Sequence, residues 1–151
     1  MLLSEIISQD LKKAMLAREK DRLEALRAVK TAFTLERSNK GTGVELSGEE
    51  EIRIIQKLVK QRRESAEIYR SQNRNDLADK EIIEADVIEA YLPEQMGSEE
   101  LRAFLLKMIA ELGASGMKDM GRVMGQATKA LAGKAEGKAV SAMVSELLEK
   151  Q

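Results

Sequence analysis

Two glycine-rich segments in the last third of the chain contain the residues whose spacing could support binding chemistry. They are Gly113-Ala-Ser-Gly-Met-Lys-Asp-Met-Gly-Arg-Val-Met-Gly125 and Gly133-Lys-Ala-Glu-Gly-Lys138. In the second segment, a loop with adjacent lysines leads into a predicted helix, and exposed amides in such a place can seat an anion such as phosphate. The spacing of a nucleotide-binding loop, Gly-x-x-x-x-Gly-Lys-Ser/Thr, is absent. A turn between helices with solvated lysines is the simpler explanation of this segment.

Residues 113–138 also contain the best basic patch of this part of the chain. Against two acidic residues, the segment has five basic ones, which are the candidate nucleic-acid-binding residues: Lys118, Arg122, Lys129, Lys134 and Lys138. The net charge of the whole chain is -1, so there is no global attraction to nucleic acid. An RNA partner would have to be held by this local patch. Aromatic residues make up 3% of the chain, which argues against recognition by base stacking.

The pair Gly121 and Gly125 needs an explanation because both residues fall inside a predicted helix. Glycine in a helix interior costs about 1 kcal/mol relative to alanine, so something must come close to that face. Close packing within the helical bundle is the favoured interpretation, and approach by an RNA backbone or a partner helix is the functional one. The candidate interaction surface comprises Gly121, Met124, Gly125, Gly133 and Gly137.

The composition excludes most familiar catalytic sites. The chain has no cysteine and no histidine, which removes thiolate nucleophiles, imidazole bases and the Ser-His-Asp triad. The acidic residues of segment 76–89 lack the Glu-x-x-His spacing of di-iron bundles. The eight methionines are interpreted as adaptable packing rather than as ligands. We therefore predict no catalytic residues, no metal and no cofactor.

Apolar residues recur at helical spacing along the first 92 residues and predict four helices. Asp21 with Glu24, and Ser47 with Glu50, resemble capping boxes at two helix starts. The last of the four helices is expected to end near Tyr91, before the sole proline. The third helix has a basic stripe and the fourth is acidic, so the two stripes are expected to pair with each other rather than to follow a phosphate backbone. The stripe comprises Arg53, Lys57, Lys60, Arg62 and Arg63.

A domain boundary is predicted in Pro93-Glu-Gln-Met-Gly97, which gives domains at residues 1–95 and 96–151. Ser98 is expected to cap the next helix, and Gly113 to end it in a left-handed conformation. Helices at about 118–131 and 138–148 then complete a bundle. The predicted fold class is all-α, with an N-terminal four-helix domain followed by a small three-helix bundle. No apolar run approaches the roughly 18 residues of a membrane span, so we expect a cytoplasmic protein without a membrane partner.

With these residues in hand, the chain resembles the GatB/YqeY family, and within it the free-standing YqeY-like proteins. The resemblance covers the whole length. The motifs that support it, besides the two glycine-rich segments, are Lys60-Gln-Arg-Arg-Glu-Ser65 and Tyr91-Leu-Pro-Glu-Gln95. The resemblance assigns these residues to the signature of the C-terminal module: Gly121, Val123, Met124, Gly125, Gly133, Gly137, Lys138 and Val140. Glu136 stands where the resemblance leads us to expect aspartate.

The resemblance implies a function in tRNA amidation. In that family the C-terminal module is similar to the tail of the B subunit of glutamine-dependent tRNA amidotransferases, which is implicated in gripping tRNA. The chain has this tail but not the catalytic part of the B subunit. The leading expectation is therefore a module that binds tRNA or a tRNA-handling complex. The alternatives are an RNA-independent protein adaptor and, last, a carbon-nitrogen ligase with glutamine as amide donor.

Overall fold

The computed structural model describes residues 2–150, which form seven α-helices and one turn of 3-10 helix, without a β-strand. The helices are α1 Leu3–Ala17, α2 Lys20–Lys40, α3 Gly48–Ser71, α4 Asn75–Glu89, α5 Ser98–Leu112, α6 Met120–Ala130 and α7 Gly137–Glu149. The chain divides into two compact units, the first ending at Leu92 and the second beginning at Pro93. The first contains α1 to α4 and the second α5 to α7, which confirms the all-helical prediction.

The core of the first unit is formed by the apolar stripes of its four helices. Phe33 on α2 and Ile55 on α3 are almost completely buried in it. Helices α3 and α4 form an antiparallel hairpin, joined by a short turn in which Asn73 has a positive φ of 59°. Asparagine tolerates this left-handed conformation better than most residues, which gives the turn between the two helices a clear physical origin.

The start of α2 differs from the prediction. The helix begins at Lys20 and is preceded by Glu19, which makes no side-chain capping hydrogen bond, so Asp21 is not the cap. The turn after α1 is very short: Arg18 adopts the left-handed conformation and the Glu19 amide donates to the Ala14 carbonyl at 3.0 Å. The Glu19 carbonyl already accepts from the Leu23 amide at 2.9 Å, which leaves Asp21 inside the first turn.

The capping box at the start of α3 is confirmed. The Glu50 amide donates to the Ser47 hydroxyl at 3.2 Å, and the Glu50 carboxylate accepts from the Ser47 amide, also at 3.2 Å. Lys40, the last residue of α2, donates to the same carboxylate at 2.6 Å. The hydrogen bond from Lys40 and the one from the Ser47 amide lower the pKa of Glu50 from 4.5 to about 2.

The lowered pKa of Glu50 predicts a loss of stability in acid. The folded state binds the proton more weakly than the unfolded state, so the contribution of Glu50 is present above pH 4.5 and is lost as the pH falls toward about 2. As the pH falls through this window, the free energy of unfolding of the wild type should decrease by more than that of Glu50→Gln. Urea denaturation of both proteins across the window measures this, and a constant difference at every pH would contradict it.

The charge matching expected between α3 and α4 is also present. Arg63 lies 3.0 Å from Asp86 and 3.3 Å from Glu89, and Arg62 lies 4.0 Å from Glu84. Two members of the basic stripe therefore pair across the hairpin. Arg53 instead pairs with Glu49 on its own helix, at 3.9 Å.

Two long-range polar contacts fix the remaining helix ends of the first unit. The buried carboxylate of Glu51 accepts from the Ser4 amide at 3.0 Å, and it thereby caps the amino terminus of α1 from the first turn of α3. After α4, the Tyr91 hydroxyl donates to Asp10 on α1 at 2.6 Å and lies 3.4 Å from Arg22 on α2. Tyr91 therefore fastens the chain after α4 to the α1–α2 hairpin.

Replacement of Tyr91 by phenylalanine tests this connection. The loss of the hydrogen bond to the charged Asp10 is expected to lower the free energy of unfolding by about 1–3 kcal/mol. Burial and the neighbouring Asp10 raise the pKa of Tyr91 above its ordinary value of 10.0. Tyr91 therefore makes its full contribution to the free energy of unfolding below pH 10.0. This contribution is lost as the pH rises through the raised pKa of Tyr91. Denaturation of the wild type and Tyr91→Phe at neutral and strongly alkaline pH measures this. Their difference in free energy of unfolding should shrink at alkaline pH, and a difference that persists would contradict this role.

The second unit buries one apolar stripe from each of its helices. Leu105 on α5, Val123 on α6 and Val144 on α7 are completely buried at its centre. The predicted cap of α5 is wrong by one residue: Gly97 is the capping residue, and its carbonyl accepts from the Leu101 amide at 2.9 Å. Ser98 is already helical, so its side chain is not in the capping position.

Candidate binding surface of the second unit

The turn between α5 and α6 accounts for the first part of the long glycine segment. Gly113 ends α5 with a φ of 62°, as predicted, and Gly116 has a φ of 73°. Both angles lie in the left-handed region, which glycine adopts without steric cost. The Asp119 carboxylate accepts from the Ser115 amide at 2.8 Å and so closes the turn. These two glycines and Asp119 are therefore required by the path of the backbone.

Gly121 and Gly125 are different, because the fold of the unit does not require them. Both lie on α6, and a Cβ built on either one would have no atom within 4 Å, apart from adjacent residues and the helix backbone. At about 100° per residue, the direction of the two glycines is about 160° from that of Val123 and Ala127, which are fully buried. The glycines thus face away from the core. The interpretation that favoured close packing within the bundle is wrong, and the reason is this orientation.

Two of the basic residues lie on α6 beside the glycine face, by which we mean the surface of α6 around Gly121 and Gly125. Arg122 and Lys129 are seven residues apart, which places them about 20° apart around the helix and about 10 Å apart along it. Both are exposed, and their direction is about 70° from that of the glycines. Arg122 lies 3.5 Å from Asp119, whereas Lys129 forms no ion pair within the described residues 2–150.

The other three basic candidates lie on either side of α6 in the chain. Lys118 is in the 3-10 turn Met117–Asp119, Lys134 is in the loop between α6 and α7, and Lys138 is in the first turn of α7. All three are exposed and form no ion pair within the part of the chain that the structure describes. Because a short loop joins α6 to α7, Lys129, Lys134 and Lys138 are gathered at the α6–α7 connection. Lys118 and Arg122 are at the other end of α6.

The remaining residues of the predicted interaction surface differ in burial and in structural role. Gly137 is exposed at the first position of α7, and a Cβ there would again meet no atom within 4 Å. Met124 is half-buried and packs against the core of the unit. Gly133 is buried with a φ of 77°, so it serves the turn between α6 and α7. Glu136 is the capping residue of α7 but makes no side-chain capping hydrogen bond.

Comparison with known families gives a match over nearly the full chain. The family described as Yqey-like protein matches residues 4–148. The chain belongs to the YqeY-like family. The predicted resemblance to the YqeY-like proteins is confirmed. The matched range includes all seven helices except the ends of α1 and α7.

Two fungal proteins are similar to this YqeY-like chain. Altered inheritance of mitochondria protein 41, mitochondrial, from Meyerozyma guilliermondii is 30% identical over 129 residues, which cover 80% of this chain and 65% of the relative. The protein of the same name from Pyrenophora tritici-repentis is 28% identical over 145 residues, which cover 94% of this chain and 78% of the relative. This chain thus spans less than two thirds of the length of the first relative.

Sequence reasoning missed two residues that shape the surface of this YqeY-like protein. Asp119 was counted only as a negative charge, yet it closes the turn before α6. Gln95 was noted only as part of a motif, yet its side chain reaches the Gly133 carbonyl at 2.6 Å. The position of Asp119, four residues after Ser115, is a local signal that could have been used. No local signal exists for Gln95, since its partner is 38 residues away.

The described residues contain neither a metal-binding cluster nor a helix that could span a membrane. Within residues 2–150, no group of three or more acidic side chains is arranged to hold a metal ion. Among the described helices, none combines the length and the apolar character that crossing a membrane requires. What the second unit offers is a helix face without side chains at two positions, together with exposed cations. A backbone or a flat polyanion could approach such a face closely.

Proposed function

We propose that this YqeY-like protein binds tRNA, or an RNA-containing tRNA-handling complex, through the glycine face of α6 and the basic residues around it. The observation that carries the proposal is the orientation of Gly121 and Gly125 away from the core, with open space in front of both. Glycine inside a helix lowers the stability of the helix, so its presence is explained when a neighbouring group or a partner needs the space left by the missing side chain. Since the fold gains nothing from these two glycines, a partner that comes close to α6 supplies the reason for them.

The charge of the surface supports an anionic partner. Four of the five basic candidates form no ion pair within residues 2–150, namely Lys118, Lys129, Lys134 and Lys138. In the first unit, by contrast, arginines on α3 pair with acidic residues of α4. Lysines without an acidic neighbour are available to phosphate oxygens, and phosphate contacts supply most of the non-specific affinity for nucleic acid. The resemblance to the amidotransferase tail supports tRNA as the particular RNA.

A titration of the full chain against tRNA at several salt concentrations tests the proposal. If about four phosphates are contacted, the logarithm of the affinity should fall with the logarithm of the salt concentration with a slope of roughly -3 to -4. Binding that is tight at low salt and weak at moderate salt is the expected result. Absence of binding at low salt would remove tRNA as the partner.

The second candidate function is that of a protein adaptor that needs no RNA. It is favoured by Met117, which is 46% exposed next to the same surface, since methionine is common at adaptable protein interfaces. Affinity capture from a cell extract, with and without ribonuclease, distinguishes the two functions. A complex that survives ribonuclease supports the adaptor, whereas one that disappears supports RNA binding.

A carbon-nitrogen ligase activity ranks last, because the sequence has no cysteine and no histidine to serve as nucleophile or base. Amidation of a mischarged tRNA by the purified protein, with glutamine as donor, would overturn that ranking. The cytoplasmic location stays a prediction. The names of the two fungal relatives place those proteins in mitochondria.

A further inference from the structure

The segment that opens the second unit, residues 93–97, is hydrogen-bonded to the loop between α6 and α7. The side-chain amide of Gln95 uses Nε2 to donate to the Gly133 carbonyl at 2.6 Å and to the Pro93 carbonyl at 2.9 Å. The next residue, Met96, donates its backbone amide to the Lys134 carbonyl at 2.9 Å. Two successive carbonyls of the loop are therefore held by two successive residues of the opening segment.

These bonds restrain the part of the loop that presents the basic side chains. The Lys134 amide donates to the Leu131 carbonyl at 2.9 Å, so both peptide groups of Lys134 are held while its side chain is exposed. Gly133 is buried in the left-handed conformation that turns the chain. Only three residues separate Lys134 from Lys138 in the first turn of α7.

We propose that Gln95 is a positioning residue for the α6–α7 loop, and that it fixes the presentation of Lys134 and Lys138 to a phosphate-bearing ligand. This inference rests on the proposed function. The side-chain amide of Gln95 has two N–H donors, one for each of the two carbonyls. A loop held in its bound shape before the ligand arrives avoids the entropic cost of ordering it on binding.

The replacement Gln95→Met tests the inference, because methionine has a similar length and no charge but cannot donate a hydrogen bond. The matched control is Gln61→Met, at an exposed glutamine on α3. The first measurement is amide hydrogen exchange of segment 133–138 in the full chain without RNA. We expect exchange of this segment to become about tenfold faster in Gln95→Met and to stay unchanged in the control, while exchange in the centre of α5 is unaffected. Unchanged exchange of segment 133–138 in Gln95→Met would overturn the inference.

The second measurement is the salt dependence of tRNA binding, which a merely structural role would not move. If Lys134 and Lys138 lose their phosphate contacts, the slope of log affinity against log salt concentration should decrease in magnitude by about one to two in Gln95→Met. The slope should not change in Gln61→Met. A slope equal to that of the wild type, with faster exchange of the loop, would refute the positioning role. If the wild type itself does not bind tRNA, the proposed function fails and the phosphate part of the inference falls with it. The exchange data then decide separately whether Gln95 orders the loop.

Discussion

Replacement of Gly125 by alanine is expected to stabilise the second unit, by about 1 kcal/mol in the free energy of unfolding. Alanine is the best helix former, and glycine is less favourable by about that amount in a helix interior. The new methyl group meets no atom within 4 Å, so no steric penalty offsets the gain. For a unit of this size the change corresponds to a rise in melting temperature of about 4–8 °C. Thermal and urea unfolding of the full chain measure it.

Gly113→Ala is the matched control for this experiment. The space in front of Gly113 is equally open, but its φ of 62° is left-handed. An alanine there is expected to destabilise the unit by about 1–2 kcal/mol. The two substitutions add the same methyl group and should change stability in opposite directions. A loss of stability in Gly125→Ala would mean that α6 needs this glycine for its own packing, and the argument for a binding face would fail.

Replacement of Lys129 by glutamine is expected to weaken tRNA binding without affecting the fold. Lys129 is exposed on the last turn of α6 and has no ion-pair partner within residues 2–150, so its loss should leave stability nearly unchanged. Loss of one phosphate contact should reduce the magnitude of the salt slope by about 0.7–0.9. The double replacement of Arg122 and Lys129 should reduce it by about twice as much, with a larger loss of affinity at low salt.

The control for Lys129→Gln is Lys107→Gln. Lys107 is an exposed lysine on α5, also without an ion pair in the described part of the chain, and its replacement changes the net charge by the same amount. If binding depends on the particular surface of α6, only Lys129→Gln should change the slope. Equal effects of the two replacements would show that the protein attracts RNA through its overall charge.

Much of the fold could be predicted because its determinants are local. The helical spacing of apolar residues, the capping box of Ser47 with Glu50 and the left-handed cap at Gly113 each involve residues within one turn of each other. The pairing of α3 with α4 followed from opposite charges on sequential helices. The predicted helix caps at Asp21 and Ser98 were wrong. Glu19 and Gly97 are the capping residues, and their carbonyls accept from the Leu23 and Leu101 amides.

The candidate surface could be predicted only in part, because the orientation of α6 decides whether its glycines face the core or the solvent. Sequence alone identifies Gly121 and Gly125 as unusual, but both packing and binding explain unusual glycines. The direction of Val123 and Ala127 into the core decides between them, and that direction is set by contacts with α5 and α7. The long-range hydrogen bonds of Glu51, Tyr91 and Gln95 could not be predicted either, since their partners are 38 to 81 residues away.

The most direct test of the glycine face is tRNA binding by the full chain with leucine or alanine at position 125. In Gly125→Leu the larger side chain should fill the space in front of α6 and reduce the affinity at least about tenfold, while the helix content and the unfolding transition are preserved. In Gly125→Ala the loss should be smaller. Wild-type affinity in a folded Gly125→Leu protein would contradict the account, because it would show that the ligand does not approach this face of α6.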